Sequence, residues 1–269
     1  MALSPLLTDL RRALDPVALA RAVGPEPHDY QAKLLRSRSR QIVLNWSRQA
    51  GKSSATAILP LHMALYHPGS LTLVLGPGER QAGLLLDKVY GYLRTIGWKP
   101  TKDEKDNTLY LRLANGSEVW ALPGKEGTIR GFSGVALIVI DEASKVPDSL
   151  YYAVRPMLAA SGGRIVLLST PFGKRGFFFD VWSGGGEWER HEVPVSDVPH
   201  IDPDFVAQER RELPPDWFAQ EYECRFMEAV DQVFSHDVIE SLFAGDVAPL
   251  FGGDEPAWSK DLIVPVGAL

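Results

Sequence analysis

The sequence predicts an α/β fold in which a mostly parallel sheet is flanked by helices. Short apolar runs of strand length alternate with amphipathic stretches of helical periodicity, which is the pattern of such a sheet. Polar residues with recognisable chemistry follow the ends of these runs, where ligands bind in open α/β sheets. The chain has 269 residues, 45% apolar and 23% charged, so its composition is that of an ordinary globular protein with a substantial core.

The first part of the chain begins with helical periodicity. Residues 6–23 are amphipathic, and the break at residues 24–27 predicts that a short helical arm ends there in a turn. The apolar run Gln41–Trp46 predicts a buried strand. Residues 53–66 predict a helix because, apart from Pro60, their apolar side chains recur at helical spacing.

The middle of the chain repeats this alternation. Residues 79–96 predict a helix from the spacing of their leucines and valine. Asn115-Gly116 lies between two short apolar runs and predicts a β-hairpin. The remaining predicted strands are residues 71–75, 109–113, 118–122, 136–140 and 164–169.

The last third differs in composition, since charged residues and proline become more frequent from about residue 188. Residues 204–212 and 216–227 predict two short helices. Residues 245–269 are rich in Gly, Pro and Asp and predict a linker that ends on the apolar run 262–266.

Charge and cysteine content narrow the function classes. The net charge of −6 argues against a domain that coats DNA, but a motor that touches DNA through a local patch remains compatible with it. The one cysteine, Cys224, excludes an internal disulfide, and no Cys/His cluster has zinc spacing. No apolar run is long enough to span a bilayer, and residues 1–10 lack the basic region of a signal peptide.

A candidate phosphate-binding loop follows the strand Gln41–Trp46. Its sequence is Ser47-Arg48-Gln49-Ala50-Gly51-Lys52-Ser53. The second half of the Walker A pattern is present, whereas Trp46 occupies the place of the first glycine. Gly51 allows a tight turn, Lys52 can reach the β- and γ-phosphates, and the Ser53 hydroxyl can bind Mg²⁺. The alternative is a chance Gly-Lys-Ser in a surface loop.

An acidic pair follows the predicted strand at residues 136–140. Asp141 and Glu142 fit a Walker B motif, in which the first carboxylate holds Mg²⁺ and the second activates the attacking water. The alternative is an acidic turn at the end of a strand. Both motifs in this order predict nucleotide hydrolysis.

The motifs together resemble those of phage terminase large subunits. The form S-R-Q-A-G-K-S resembles the deviant Walker A of that family, and Tyr30-Gln31 resembles its adenine-binding element. Ser169-Thr170-Pro171 looks like its coupling motif, and Ile129-Arg130-Gly131 like a recurring Arg-Gly element. Residues 205–234, with Phe218, Glu221-Tyr222 and Val233-Phe234, read like its lid region. The resemblance covers residues 28–235.

The resemblance implies a P-loop NTPase fold of the ASCE, RecA-like type with a small helical lid subdomain. The expected domains are an ATPase core with its N-terminal arm at 1–195, a lid at 196–244, and a linker at 245–269 toward a C-terminal nuclease domain. The chain ends where that nuclease should start, so we expect a truncated protein without nuclease activity.

The resemblance also implies ATP and Mg²⁺ as cofactors, with Ser53 and Asp141 as the metal ligands. The expected nucleotide-binding residues are Tyr30, Gln31, Ser47, Arg48, Gln49, Ala50, Gly51, Lys52, Ser53 and Ser54. Glu142, Arg48 and Arg130 are the expected catalytic residues, with Arg48 on the γ-phosphate in cis and Arg130 as a finger for a neighbouring subunit. Ser169 and Thr170 are expected to couple hydrolysis to movement.

The implied function is an ATP-hydrolysing motor that drives double-stranded viral DNA into a procapsid. Its expected partners are the portal protein, a small terminase subunit and further copies of the chain in a ring, in the host cytoplasm and without a membrane. The alternatives are a helicase-like or other nucleic-acid-remodelling ATPase, and a non-motor nucleotide-binding module.

Each candidate also has a structural interpretation. Arg48 can pair with a carboxylate, Arg130 can be a surface residue, and Tyr30 can pack on the core. Ser169 and Thr170 can cap a following helix. A DNA patch can comprise Lys102, Lys105, Lys125, Lys174 and Arg175, or these can be solvated surface residues. For the tryptophans at 98, 120, 182 and 188 we expect core packing rather than base stacking. For Cys224 we expect a buried apolar side chain within the second predicted helix.

Overall fold

The structure is a computed structural model that describes residues 4–98, 106–107, 109–124, 129 and 131–228. The chain divides into two units, residues 1–229 and 230–269, and the second lies wholly outside the described residues. The predicted linker at 245–269 therefore remains a prediction. Within the described part of the chain, no helix is both long and apolar enough to cross a bilayer.

Eight strands form one sheet in the order β3-β4-β5-β2-β6-β7-β1-β8. Their bounds are Gln41–Trp46 (β1), Leu71–Gly76 (β2), Asp106–Asn107 (β3), Tyr110–Arg112 (β4), Glu118–Pro123 (β5), Leu137–Asp141 (β6), Arg164–Ser169 (β7) and Glu189–Val193 (β8). The six strands from β5 to β8 in this order are parallel, and β3 and β4 add an antiparallel edge. The predicted mostly parallel sheet and the hairpin are confirmed.

Nine helices surround the sheet in the described residues. They are Pro5–Leu14 (α1), Pro16–Val23 (α2), Asp29–Arg36 (α3), Lys52–Tyr66 (α4), Glu79–Thr95 (α5), Asp148–Val154 (α6), Gly176–Ser183 (α7), Pro203–Glu212 (α8) and Pro215–Tyr222 (α9). Short 3₁₀ turns at Ala143–Lys145, Arg155–Leu158 and Val195–Asp197 complete the described helical segments.

Successive side chains of each strand enter two different cores. In β1, Ile42 and Leu44 pack in the core that includes residues of α2 to α5, whereas Val43 packs in the core that includes residues of α6 and α7. This alternation is the period of a strand, and because both faces are covered, β1 is apolar at nearly every position. The helices therefore fix the sheet from both sides and hold its edges in place.

Three details differ from the sequence prediction. The N-terminal arm is two helices, because Asp15 caps a new helix that starts at Pro16. The helix expected at 216–227 ends at Tyr222, so Cys224 lies beyond it, in a left-handed conformation with φ of 59°. Strand β8 was not predicted, since four of its five residues are polar. The described tryptophans at 98, 120, 182 and 188 all pack against the two cores, as predicted.

Candidate functional site

The candidate phosphate loop joins the carboxyl end of β1 to the start of α4. Gly51 is the N-cap of α4 and has φ of 76°, a left-handed conformation that glycine adopts at no steric cost. Gln49 is also left-handed, with φ of 60°. The loop therefore turns sharply into the helix, whose N-terminal amides form an anion-binding end.

The Lys52 side chain folds back and binds the backbone at the start of this loop. Its Nζ donates hydrogen bonds to the carbonyl oxygens of Trp46 at 2.7 Å and Ser47 at 2.8 Å. Burial lowers the pKa of Lys52 to about 8, because removal from water disfavours the charged form. An ammonium held only by neutral carbonyls gains strongly from an approaching anion, which is the property a phosphate site needs.

Ser53 and Asp141 bring the two motifs together. Asp141 ends β6, and its Oδ2 accepts a hydrogen bond of 3.1 Å from Ser53 Oγ. Burial raises the pKa of the Asp141 carboxyl, so this carboxylate is costly to keep ionised without a cation beside it. A hydroxyl and a carboxylate are hard oxygen ligands that fit Mg²⁺, which would complete its shell with phosphate oxygens and water.

Glu142 follows Asp141 in a left-handed conformation with φ of 48° and ψ of 44°. Its backbone N–H donates to Asp141 Oδ1 at 2.9 Å, and its carboxylate accepts a hydrogen bond of 3.0 Å from Lys145 Nζ. The turn therefore aims two adjacent carboxylates differently. Asp141 is tied to the phosphate loop, whereas Glu142 extends into the open space beyond it.

A cavity of about 580 Å³ joins these groups at the carboxyl edge of the sheet. Its lining includes Arg48, Lys52, Ser53, Asp141, Glu142, Ser169 and Thr170. Both Walker-type motifs and the Ser-Thr element therefore face one space, as expected from their positions after three parallel strands. The volume is within the usual range for a small-molecule site.

Arg48 is paired with a carboxylate from α9. Its Nε lies 3.5 Å from Glu221 Oε2, and its backbone N–H donates to the Glu221 carbonyl oxygen at 2.8 Å. The structural interpretation of Arg48 is thus confirmed in this state, and its role toward a γ-phosphate stays a prediction. The pair also fastens the described part of the predicted lid to the phosphate loop.

Cys224 adds a second link between the loop strand and the chain after α9. Its carbonyl oxygen accepts a hydrogen bond of 2.7 Å from Asn45 Nδ2, and its Sγ donates to the Val193 carbonyl oxygen at 3.3 Å. Burial raises the pKa of the thiol to about 12. The side chain is buried and protonated, which confirms the predicted apolar role.

Tyr30 and Gln31 lie directly against the phosphate loop. Tyr30 Oη donates to the Ala50 carbonyl oxygen at 3.1 Å, and the Tyr30 ring packs edge-on against Trp46 at 5.0 Å. Gln31 Nε2 donates to the same carbonyl at 3.4 Å, and Gln31 Oε1 accepts from the His28 N–H. Both residues therefore support the loop, and their contact with adenine stays a prediction.

Two other predicted nucleotide-binding residues, Ser47 and Ser54, make contacts that stabilise the fold around the loop. Ser47 is fully buried, and its N–H continues the pairing with β8 by donating to the Val193 carbonyl oxygen. Ser54 accepts a hydrogen bond from Lys88 Nζ at 3.2 Å through its hydroxyl, and one from Tyr92 Oη at 3.1 Å through its carbonyl. Ser54 thereby ties α4 to α5.

Ser169 ends β7, Thr170 follows it, and both line the cavity. Ser169 Oγ lies 2.7 Å from Ser144 Oγ, which connects this strand to the turn after Glu142. The alternative that they cap the following helix is wrong, because α7 begins at Gly176 with Arg175 as its N-cap. The coupling role stays a prediction.

Sequence reasoning missed the face of α5 that lines the cavity. Gln81, Leu84 and Lys88 lie there at spacings of three and four residues, which is the helical period that could have grouped them. Their distance from any motif in the sequence hid them. Several predicted residues, namely Lys102, Lys105, Lys125, Arg130 and Val233-Phe234, lie outside the described residues, although neighbouring Ile129 is buried and Gly131 has φ of 109°.

A family model described as "Terminase large subunit, T4likevirus-type, N-terminal" matches residues 43–241. The chain belongs to the terminase large-subunit family. Terminase relatives include the large subunit of Thermus phage G20c, 27% identical over 252 residues that cover 79% of this chain and 51% of that protein. The large subunit of Escherichia phage T5 is 25% identical over 196 residues, which cover 70% of this chain and 44% of that protein.

Solved terminase structures share the fold. The Thermus phage P74-26 large terminase ATPase domain superposes with a TM-score of 0.67 at 23% identity, covering 77% of this chain and 96% of that one. The HK97 bacteriophage large terminase gives a TM-score of 0.63 at 12% identity, covering 80% and 55%. These matches confirm the predicted P-loop, RecA-like fold. The chain spans about half the length of the curated relatives it matches.

Proposed function

We propose that this terminase chain is a Mg²⁺-dependent ATPase motor domain that powers translocation of double-stranded viral DNA into a procapsid. The observation that carries the proposal is the convergence of Lys52, Ser53, Asp141 and Glu142 on one cavity. A cation, a hydroxyl and two carboxylates with different surroundings are the groups that phosphoryl transfer to water requires. Membership of the terminase family supplies the link from hydrolysis to DNA packaging.

Each group has a separate task in this proposal. Lys52 and the amides of the loop bind the phosphates, and Ser53 with Asp141 hold Mg²⁺, which neutralises phosphate charge when bound. Glu142 orients the attacking water and accepts its proton. Because Glu142 is held by Lys145 rather than by the loop, its carboxylate can turn toward that water without disturbing the ligands of the metal.

Two arginines complete the proposed catalytic set. Arg48 leaves Glu221 to contact the γ-phosphate in cis, and Arg130 acts on the nucleotide of a neighbouring subunit. Tyr30 and Gln31 contact the adenine beside the loop that they support. The remaining proposed nucleotide ligands are Ser47, Gln49, Ala50, Gly51 and Ser54, and Ser169 with Thr170 transmit the state of the γ-phosphate.

The proposal includes the domains of the chain and the assembly in which it works. Residues 1–195 form the ATPase core, 196–244 the lid and 245–269 a linker. The motor works in the host cytoplasm as a ring of identical subunits on the portal protein, with a small terminase subunit as a further partner. The double-helical DNA passes through that ring.

Steady-state ATP hydrolysis against protein concentration, with Mg²⁺, tests this proposal. We expect the rate per chain to rise with concentration and to fall strongly in Glu142→Gln and Arg130→Ala. Glu187→Gln is the matched control, since Glu187 is an exposed carboxylate that does not line the cavity. Hydrolysis by Glu142→Gln at the wild-type rate, or tight nucleotide binding by the wild type without hydrolysis, would contradict the proposal.

A further inference from the structure

The amino-terminal ends of the parallel strands, opposite the phosphate loop, carry more positive than negative charge. Five arginines gather where parallel strands β1 and β7 begin, and we call them the arginine edge: Arg36, Arg38, Arg40, Arg155 and Arg164. A six-residue strand advances about 20 Å, so this edge lies roughly that far from the nucleotide cavity. The chain as a whole is acidic, with a net charge of −6, which makes the concentration of arginine notable.

The carboxylates near this edge, Asp15 and Glu189, offset its charge only in part. Asp15 pairs with Arg36 at 2.9 Å. Glu189 is engaged by the Ser37 hydroxyl at 2.5 Å and by His191 at 2.7 Å. Among the described residues, the other four guanidinium groups of the arginine edge form no ion pair with a carboxylate.

The local sequence explains how two of these side chains are presented. Residues 36–40 read Arg-Ser-Arg-Ser-Arg, and α3 ends at Arg36 with Ser37 as its C-cap. Arg38 and Arg40 are exposed, whereas Ser37 and Ser39 are partly buried and hydrogen-bonded.

The Arg164 side chain holds the backbone of residues 37–39 in place. Its Nε donates to the Ser39 carbonyl oxygen at 3.0 Å, and its Nη2 donates to the Ser37 carbonyl oxygen at 3.1 Å. This guanidinium therefore clamps the backbone of the two serines. The exposed arginines are held on a fixed support rather than on a loose loop, which lowers the entropy lost when they bind a ligand.

The charge is spread along the edge rather than focused on one point. Arg36, Arg38 and Arg164 line a cavity of about 590 Å³ together with His62 and His67. Arg40 and Arg155 line a separate cavity of about 250 Å³. A single phosphate ion could engage only one of these groups of side chains, whereas a polyanion can engage both.

We propose that the arginine edge binds the phosphate backbone of double-stranded DNA, an inference that rests on the proposed translocation function. The planar guanidinium fork matches phosphate oxygens, and backbone contacts of this kind bind DNA without reading its sequence, as a translocating motor requires. Of the patch considered from the sequence, Lys102, Lys105 and Lys125 lie outside the described residues, and Lys174 pairs with Glu228 at 2.8 Å.

Fluorescence anisotropy with a short labelled duplex of mixed sequence tests the inference on the whole 269-residue chain. The test variant is Arg38→Gln/Arg40→Gln, and the charge-matched control is Arg94→Gln/Arg211→Gln, which removes exposed arginines of α5 and α8. We expect the test variant to bind DNA at least about tenfold more weakly, with the slope of log affinity against log salt reduced by about 2. The control should bind as the wild type does.

Two further measurements separate the outcomes. ATP hydrolysis without DNA should be equal in the wild type and the test variant, so loss of hydrolysis in both would concern the proposed function and leave the DNA result standing. Equal DNA affinity and salt slope in the test variant and wild type would overturn the inference. So would stabilisation by inorganic phosphate that the variant loses while its DNA binding persists, because the edge would then be a site for a free anion.

Discussion

Ser53 Oγ donates a hydrogen bond of 3.1 Å to Asp141 Oδ2, and this contact joins the phosphate loop to the carboxyl end of β6. The two residues come from motifs far apart in the sequence. Ser53 lies in α4, which follows β1, whereas Asp141 ends β6, and β1 and β6 are not neighbours in the sheet. The two side chains meet at the corner of the cavity where we propose that Mg²⁺ binds, and several expected outcomes follow from this contact and its surroundings.

Asp141→Asn should separate activity from stability. Loss of the proposed metal-binding carboxylate is expected to lower ATP hydrolysis by about 10²-fold or more. The raised pKa means that folding disfavours the ionised form, so the native state at neutral pH is destabilised by this charge. The neutral amide should therefore leave the free energy of unfolding unchanged or higher, as measured by urea denaturation. A large loss of stability would show that the carboxylate has a structural role.

Nucleotide affinity should fall as the pH rises through about 8. The pKa of Lys52 is lowered to about 8 in the folded protein, so above that pH the free protein loses the ammonium that we propose binds phosphate. Between pH 7 and 9 the charged fraction falls about tenfold, and the affinity for a slowly hydrolysed ATP analogue should fall similarly. Calorimetry on wild type and Lys52→Met provides the measurement. The variant should bind weakly at every pH, and a flat wild-type profile would contradict the assignment.

Glu221→Gln should tighten ATP binding several-fold. Arg48 is held 3.5 Å from the Glu221 carboxylate, which competes with a phosphate for the same guanidinium. Because the Arg48 side chain is 60% exposed, the pair contributes less than about 1 kcal/mol, and the change in stability should be small. Glu223→Gln is the control, since Glu223 pairs with Arg210 at the end of the same helix. Weaker binding in Glu221→Gln would mean that the pair organises the site instead.

Trp46→Gly should not improve the enzyme, although it restores the glycine of the Walker A pattern. Trp46 is 0% exposed and packs edge-on against Tyr30. Removing a buried aromatic side chain is expected to lower the free energy of unfolding by about 3 to 5 kcal/mol. Urea denaturation should show this loss, and Trp46→Phe should retain most of the stability. A stable and more active Trp46→Gly variant would sink the view that the tryptophan is part of the core.

The sequence predicted the parts of the fold that periodicity encodes. Buried parallel strands such as Arg164–Ser169 are continuous apolar runs, and the carboxyl ends of these strands located the motifs. Strand β8 was not predicted because Val193 is its one apolar residue, and the other four residues of this edge strand are polar. Helix ends were less certain, as at Tyr222, since they depend on local capping.

The sequence predicted the site residues that belong to local motifs, and it missed those that reach the cavity through helix packing. Lys52, Ser53, Asp141 and Glu142 belong to motifs with fixed spacing, so the sequence alone identified them. Lys88 and its neighbours on α5 face the cavity only because of how that helix packs on the sheet. No spacing rule connects such residues to the loop.

Strand β1 joins the two ends of the molecule on which these proposals rest. Arg40 precedes its first residue and Ser47 follows its last, and the strand is hydrogen-bonded along its length to β7 on one side and β8 on the other. Tension applied along β1 is therefore resisted in shear by two full ladders loaded at once. The strand should therefore lengthen little under load, so that a force at one end is transmitted to the other.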